Sequence, residues 1–83
     1  MAKLDKIKEK IFCKPTTSKL TWNEITSFLN AYGYRELQAE GSRVRFVHSD
    51  TKDVIRLHRP HPGNELKKYV VEQLQEKLEW TRN

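Results

Sequence analysis

Gly41 to Lys67 reads GSRVRFVHSDTKDVIRLHRPHPGNELK, and the reading of this stretch decides the fold. Residues 43–48 alternate, with Val44 and Phe46 on one face and Arg43, Arg45 and Val47 on the other. A second run from Asp53 to about His58 alternates again, with Ile55 and Leu57 sharing a face and Val54, Arg56 and His58 the opposite one. Ser49-Asp50-Thr51-Lys52 between them has turn composition, so the pair reads as a β-hairpin. Register follows from the same pattern, because a one-residue slip would exchange the two faces. Pairing Phe46 with Ile55 and Val44 with Leu57 keeps the apolar face together. That register also sets Arg45 opposite Arg56, and Arg43 opposite His58. Like charges placed directly opposite repel unless an anion joins them, so the register that buries the core also builds a cationic face.

Toward the N-terminus, Tyr34 to Ala39 reads as a first strand of weak alternation, turned at Glu40-Gly41-Ser42. Before it, Thr21-Trp22-Asn23-Glu24 has the form of a capping box, flanked by Leu20 and Ile25 at the positions of a hydrophobic staple. The helix it opens carries Trp22, Ile25, Phe28, Leu29 and Tyr32 on one face, and Gly33 suits the left-handed position that ends it. Residues 1–13 hold Leu4, Ile7, Ile11 and Phe12 at helical spacing with lysines between, and Cys-Lys-Pro-Thr-Thr-Ser then reads as a linker. This first helix is either an extension of the core or an element for self-association, which leaves a homo-oligomer open.

Toward the C-terminus, Arg59-Pro60-His61-Pro62-Gly63 is a rigid elbow that holds His61 extended. Gly63 or Asn64 is expected to cap a last helix reaching Leu78, with Leu66, Val70, Leu74 and Leu78 on one stripe and Tyr69 and Val71 beside it. Trp80 to Asn83 is expected to fray. The expected architecture is α+β: an N-terminal helix and linker over residues 1–19, then an α-β-β-β-α unit over 20–80. Its helices cover one face of a three-stranded antiparallel sheet.

Eighty-three residues make one domain with a small core. The formal net charge is +5, concentrated in residues 1–20, with six lysines against two acids, and in 43–61, with five basic residues against two acids. Such a balance favours polyanions, although a charge kept for solubility reads the same way. The lone Cys13 makes no internal disulfide, and neither a signal-like N-terminus nor a long apolar run is present, so a cytoplasmic protein without a membrane span is expected.

Arg43, Arg45, Arg56 and Arg59 together fit phosphate, against the plainer reading of a solvated strand face. His58 and His61 are candidates for proton transfer, since imidazole titrates near neutral pH and RNA supplies its own nucleophile in the 2′-hydroxyl. His48 is the weaker candidate by alternation. No metal site and no cofactor are expected: His58 and His61 lack a nearby cysteine or acidic pair, and no Gly-rich phosphate loop is present.

Three pieces, TWNEITSFLNAYGY, GSRVRF and RLHRPHPGNELKKYVVEQLQEKL, give a resemblance to the HicA toxins of bacterial toxin–antitoxin systems, covering about Leu20 to Leu78. The resemblance implies a double-stranded-RNA-binding-like fold, mRNA binding, metal-independent RNA cleavage as an endoribonuclease, and neutralisation by a HicB-like antitoxin. It adds Ser42, in the Gly-Ser turn, to the RNA-binding set of Arg43, Arg45, Arg56 and Arg59. One departure matters: many members have Gly-Ser-His with a catalytic histidine, and the matching position here is Arg43. Two functions follow from that. His58, across the hairpin, carries the proton transfer, or the protein is a non-catalytic RNA- or partner-binding module. A DNA-binding or purely protein-binding domain is the third reading.

Overall fold

A computed structural model describes residues 2–17, 19–60 and 63–82. The elements are α1 (Ala2–Phe12), α2 (Trp22–Ala31), β1 (Tyr34–Glu40), β2 (Arg43–His48), β3 (Val54–His58) and α3 (Lys68–Lys77), with a final 3-10 turn over Glu79–Arg82. The strands form an antiparallel sheet in the order β1-β2-β3, an α+β fold. None of the described helices is long and apolar enough to cross a membrane.

The hairpin has the register that its alternation requires: Arg43 pairs with His58, Val44 with Leu57, Arg45 with Arg56 and Phe46 with Ile55. The His48 amide donates to the Asp53 carbonyl at 2.9 Å and closes the four-residue loop. Val44, Phe46, Ile55 and Leu57 are buried under α2 and α3 residues, while Arg43, Arg45, Arg56 and His58 are exposed. The α2 capping box is complete: the Glu24 amide donates to Thr21 Oγ1 at 3.2 Å, and the Thr21 amide donates to Glu24 Oε1 at 3.1 Å. Leu20 and Ile25 are both fully buried beside it.

Gly33 ends α2 with φ of 97° and has a second constraint. A Cβ built on it would lie 2.9 Å from His48 Nε2, so the backbone approaches the imidazole too closely for any other residue.

α1 extends the core. Ile7 and Ile11 are buried, Lys10 Nζ pairs with Glu24 Oε2 at 2.7 Å, and Gln75 Nε2 of α3 donates to the Ile11 carbonyl at 2.8 Å. Ile7 and Ile11 of its apolar face are therefore spent within the chain, while Leu4 of the same face is 37% exposed.

Two expectations at the C-terminal end are corrected. The last helix begins at Lys68 rather than at Gly63 or Asn64, and Lys67 at its N-cap makes no side-chain capping bond. The reason is backbone pairing: the Trp22 amide donates to the Asn64 carbonyl at 2.8 Å, the Leu66 amide donates to the Leu20 carbonyl at 2.7 Å, and Thr21 bridges Glu65. Groups committed to that extended bridge cannot also begin a helix. Nor does the tail fray as far as Arg82. Thr81 is buried, its hydroxyl donates to the Leu78 carbonyl at 2.7 Å, and the Trp80 ring packs against Tyr32, Tyr34 and His48.

A cationic sheet face and its groove

The open face of the sheet follows from pleat and register alone. Arg45 and Arg56 are cross-strand partners, Arg43 and His58 the next pair, and all four side chains are exposed. Among the described residues, none of Arg43, Arg45 and Arg56 has an ion pair. Glu40 is the acid nearest in register, opposite Arg43 beyond a bulge in β1. All three arginines are exposed, so these guanidiniums keep their hydration until an anion replaces it.

β1 adds residues that the weak alternation of its sequence conceals. Its register, Tyr34 with His48 and Arg35 with Val47, puts Arg35 on the open face and Leu37 opposite Arg45. Both are exposed, Leu37 at 46%. The signal was available: placing the turn at Gly41-Ser42 fixes the β1 faces from those of β2.

The expected site residues do not all meet. Ser42 is exposed at the turn, and its carbonyl accepts from the Arg59 amide at 2.8 Å, which lengthens the β2–β3 ladder. The Arg59 side chain is engaged elsewhere, pairing with Glu36 at 3.5 Å and lying over the Trp22 ring with 5.7 Å to its centroid. His61 lies outside the described residues. Among the described residues, no group of three His, Cys, Asp or Glu side chains could hold a metal ion.

His48 is fully employed in the structure. It is buried, its Nδ1 accepts from the Asp50 amide at 3.0 Å and the Thr51 amide at 3.2 Å, and Tyr34 and Trp80 pack edge-on against its ring. It is the organiser of the hairpin loop. His58 has none of these partners and shares its face with the arginines.

A groove of about 520 Å³ lies between the β2–β3 ladder and α3, lined by Arg43, Arg45, Arg56, His58, Tyr69 and Gln73, with Val44, Leu57 and Val70 beneath. A second, of about 480 Å³, shares His58, Tyr69 and Val70 with it and reaches Ser42, Arg59 and Lys67. The two form one trough past His58. Tyr69, expected beside the buried stripe of α3, is 60% exposed on its wall, whereas Val71 is fully buried. Tyr69, Gln73 and Lys67 were not among the expected site residues; nothing local in the sequence marks them, because it is the packing of α3 beside the β2–β3 ladder that brings them to the arginines.

Two titrations reflect the core rather than the groove. Burial pushes the Glu24 carboxyl up, but the hydrogen bond and charge of Lys10 and the bonds from Thr21 outweigh it and hold the group below its ordinary 4.5. Burial pushes the Tyr34 hydroxyl up from its ordinary 10.0, and the Asp53 carboxylate that accepts its proton at 3.1 Å adds to the rise against an opposing Trp80 contribution.

Residues 22–80 match the model of a family described as the HicA toxin of bacterial toxin–antitoxin systems. Comparison with curated proteins gives no match, and comparison with solved structures gives none either.

Proposed function

For this chain, which belongs to the HicA toxin family, we propose an mRNA-binding toxin that acts in the cytoplasm, cleaves mRNA without a metal and is neutralised by a HicB-like antitoxin. The observation that carries the reading is the arginine set Arg43, Arg45 and Arg56, without an ion pair among the described residues and exposed on one sheet face with His58 among them. Phosphate fits it because guanidiniums bind phosphate oxygens in pairs, and messenger RNA is the polyanion that the family's toxins act on.

The chemistry needs little machinery. His58 takes the proton of a 2′-hydroxyl, the 2′-oxygen attacks the adjacent phosphorus, and the bond to the 5′-oxygen breaks. A 2′,3′-cyclic phosphate and a 5′-hydroxyl result, the leaving oxygen taking its proton from water at the open face. The arginines hold the charge that builds on the phosphoryl oxygens. No group in this scheme has to be a metal, since the substrate carries the nucleophile.

One observation favours a second reading, RNA binding without cleavage: Arg43 stands in the Gly-Ser turn where many family members have the catalytic histidine. Induced expression separates the two. Wild-type protein is expected to arrest growth with loss of full-length mRNA on Northern blots, a HicB-like antitoxin to reverse both, and His58→Ala to do neither. Arrest that is unchanged in His58→Ala leaves the binding reading standing and removes His58 from the chemistry.

A further inference from the structure

We propose that Tyr69 is a stacking platform for one unpaired base, so that the RNA held at the cationic face is single-stranded where it crosses α3. The inference rests on the RNA-binding reading above and deepens it.

The tyrosines differ in kind. Tyr32 packs against Phe28 and Trp80, and Tyr34 against His48 and Trp80 with its hydroxyl bonded to Asp53. Tyr69 has no ring partner and no hydroxyl partner among the described residues, and it is 60% exposed. Its exposure is fixed by its neighbours: Val70, Val71 and Leu74 are buried and set the rotation of α3. The ring therefore stays on the groove wall.

Its position joins the two halves of the trough. On one side stand Arg43, Arg45, Arg56 and His58; on the other stand Ser42, Arg59 and Lys67. A nucleotide is a phosphate and a flat base linked by a sugar, and this wall offers cations and a flat ring side by side. Gln73, one helical turn beyond Tyr69, lines the same groove and offers an amide to a base edge. An A-form duplex shows base edges and phosphates but keeps base faces stacked inside, so a tyrosine ring finds a face only on an unpaired nucleotide. The ring accordingly discriminates between strand states, and the arginines do not.

The test is direct binding, with RNA methylated at each 2′-oxygen so that it is not cut. A fluorescein-labelled single strand of about twelve nucleotides, long enough to cover one small domain, is titrated by anisotropy beside a perfect duplex of the same sequence. Wild-type protein is expected to prefer the single strand. Tyr69→Ala should weaken single-strand binding about tenfold, the scale of one base–aromatic stack, with an unchanged salt slope and unchanged duplex binding. Tyr69→Phe should stay within about twofold, because the ring remains. The site is exposed, so both variants are expected to melt with the wild type. Arg45→Ala is the control for the underlying reading. If Arg45→Ala weakens binding and Tyr69→Ala does not, or if duplex and single strand bind alike, the stacking proposal is overturned and RNA binding stands. If the wild type binds neither RNA, both are overturned.

Discussion

His48 and His58 lie on the same two-stranded ladder, one on the covered face of the sheet and one on the open face. The first is enclosed by Tyr34, Trp80 and Gly33, with two backbone amides bonded to Nδ1. The second has arginines for neighbours and no side-chain partner among the described residues. The difference teaches that burial parity along a strand, and not residue type, divides structural work from candidate chemistry here. Every substitution on the covered face should be read in stability, and those on the open face in RNA.

The strongest way to break that division is at adjacent residues of β2. Phe46→Ala, which empties a fully buried position, should cost about 3–5 kcal/mol in chemical denaturation, a large part of what a small domain has. Arg45→Ala next to it should change stability by under about 0.5 kcal/mol. Comparable losses at both would mean that the sheet has no functional face.

The histidines give the next test. His58→Ala is expected to lower RNA cleavage by about two orders of magnitude, with RNA binding within a fewfold and an unchanged melt. His48→Ala leaves the Asp50 and Thr51 amides without their acceptor, so it should lose about 1–3 kcal/mol of stability and affect cleavage only through folding. Arg43→His should raise cleavage, or rescue His58→Ala, by restoring the more usual family arrangement. Creation of activity by Arg43→His in a protein that otherwise cuts at no pH would assign this chain to binding alone.

A smaller effect distinguishes phosphate contact from a solvated face. Arg45→Ala and Arg56→Ala should each weaken RNA binding across sequences and lower the slope of log affinity against log salt by about one unit. Equal slopes in all three proteins would favour the solvated face.

The smallest effect belongs to Glu24, on the covered side. Its carboxyl titrates below the ordinary 4.5 in the fold, so the folded state binds the proton more weakly than the unfolded chain does. The resulting stabilisation is complete above about pH 4.5 and is lost as pH falls through the lower, folded value. Glu24→Gln should flatten that acid limb of the stability profile by under about 1 kcal/mol. The variant is expected to be less stable than wild type above about pH 4.5, where the Lys10 ion pair is lost, and to converge with it in acid, while Gln keeps an acceptor for the Thr21 amide.

The hairpin was legible in the sequence because its alternation has one register that buries Val44, Phe46, Ile55 and Leu57 together, and the cationic face came with it. The α2 helix was legible because its cap is local, Thr21 to Glu24. The start of α3 was not, because it is decided by pairing between Leu20–Trp22 and Asn64–Leu66, segments far apart in the chain. Tyr69 was hidden although the buried stripe was legible: Tyr69 and Val71 flank that stripe, and only the packing of α3 decides that Val71 goes under while Tyr69 faces the groove. Trp80 looked like tail because the aromatic pocket that receives it is assembled from α2, β1 and β2. Arg59 looked free because its Glu36 partner sits two strands away.

The bond from Gln75 Nε2 to the Ile11 carbonyl spans 64 positions of sequence, and it has a consequence in time. The sheet closes through short loops, which form quickly and cost little chain entropy. The clamp between α1 and α3 closes a loop of about three-quarters of the chain, and contacts of that separation are slow to form. The hairpin, whose pairing is local, is thus expected to form on refolding before the clamp that seats α3, so the cations are in place before the wall that carries Tyr69.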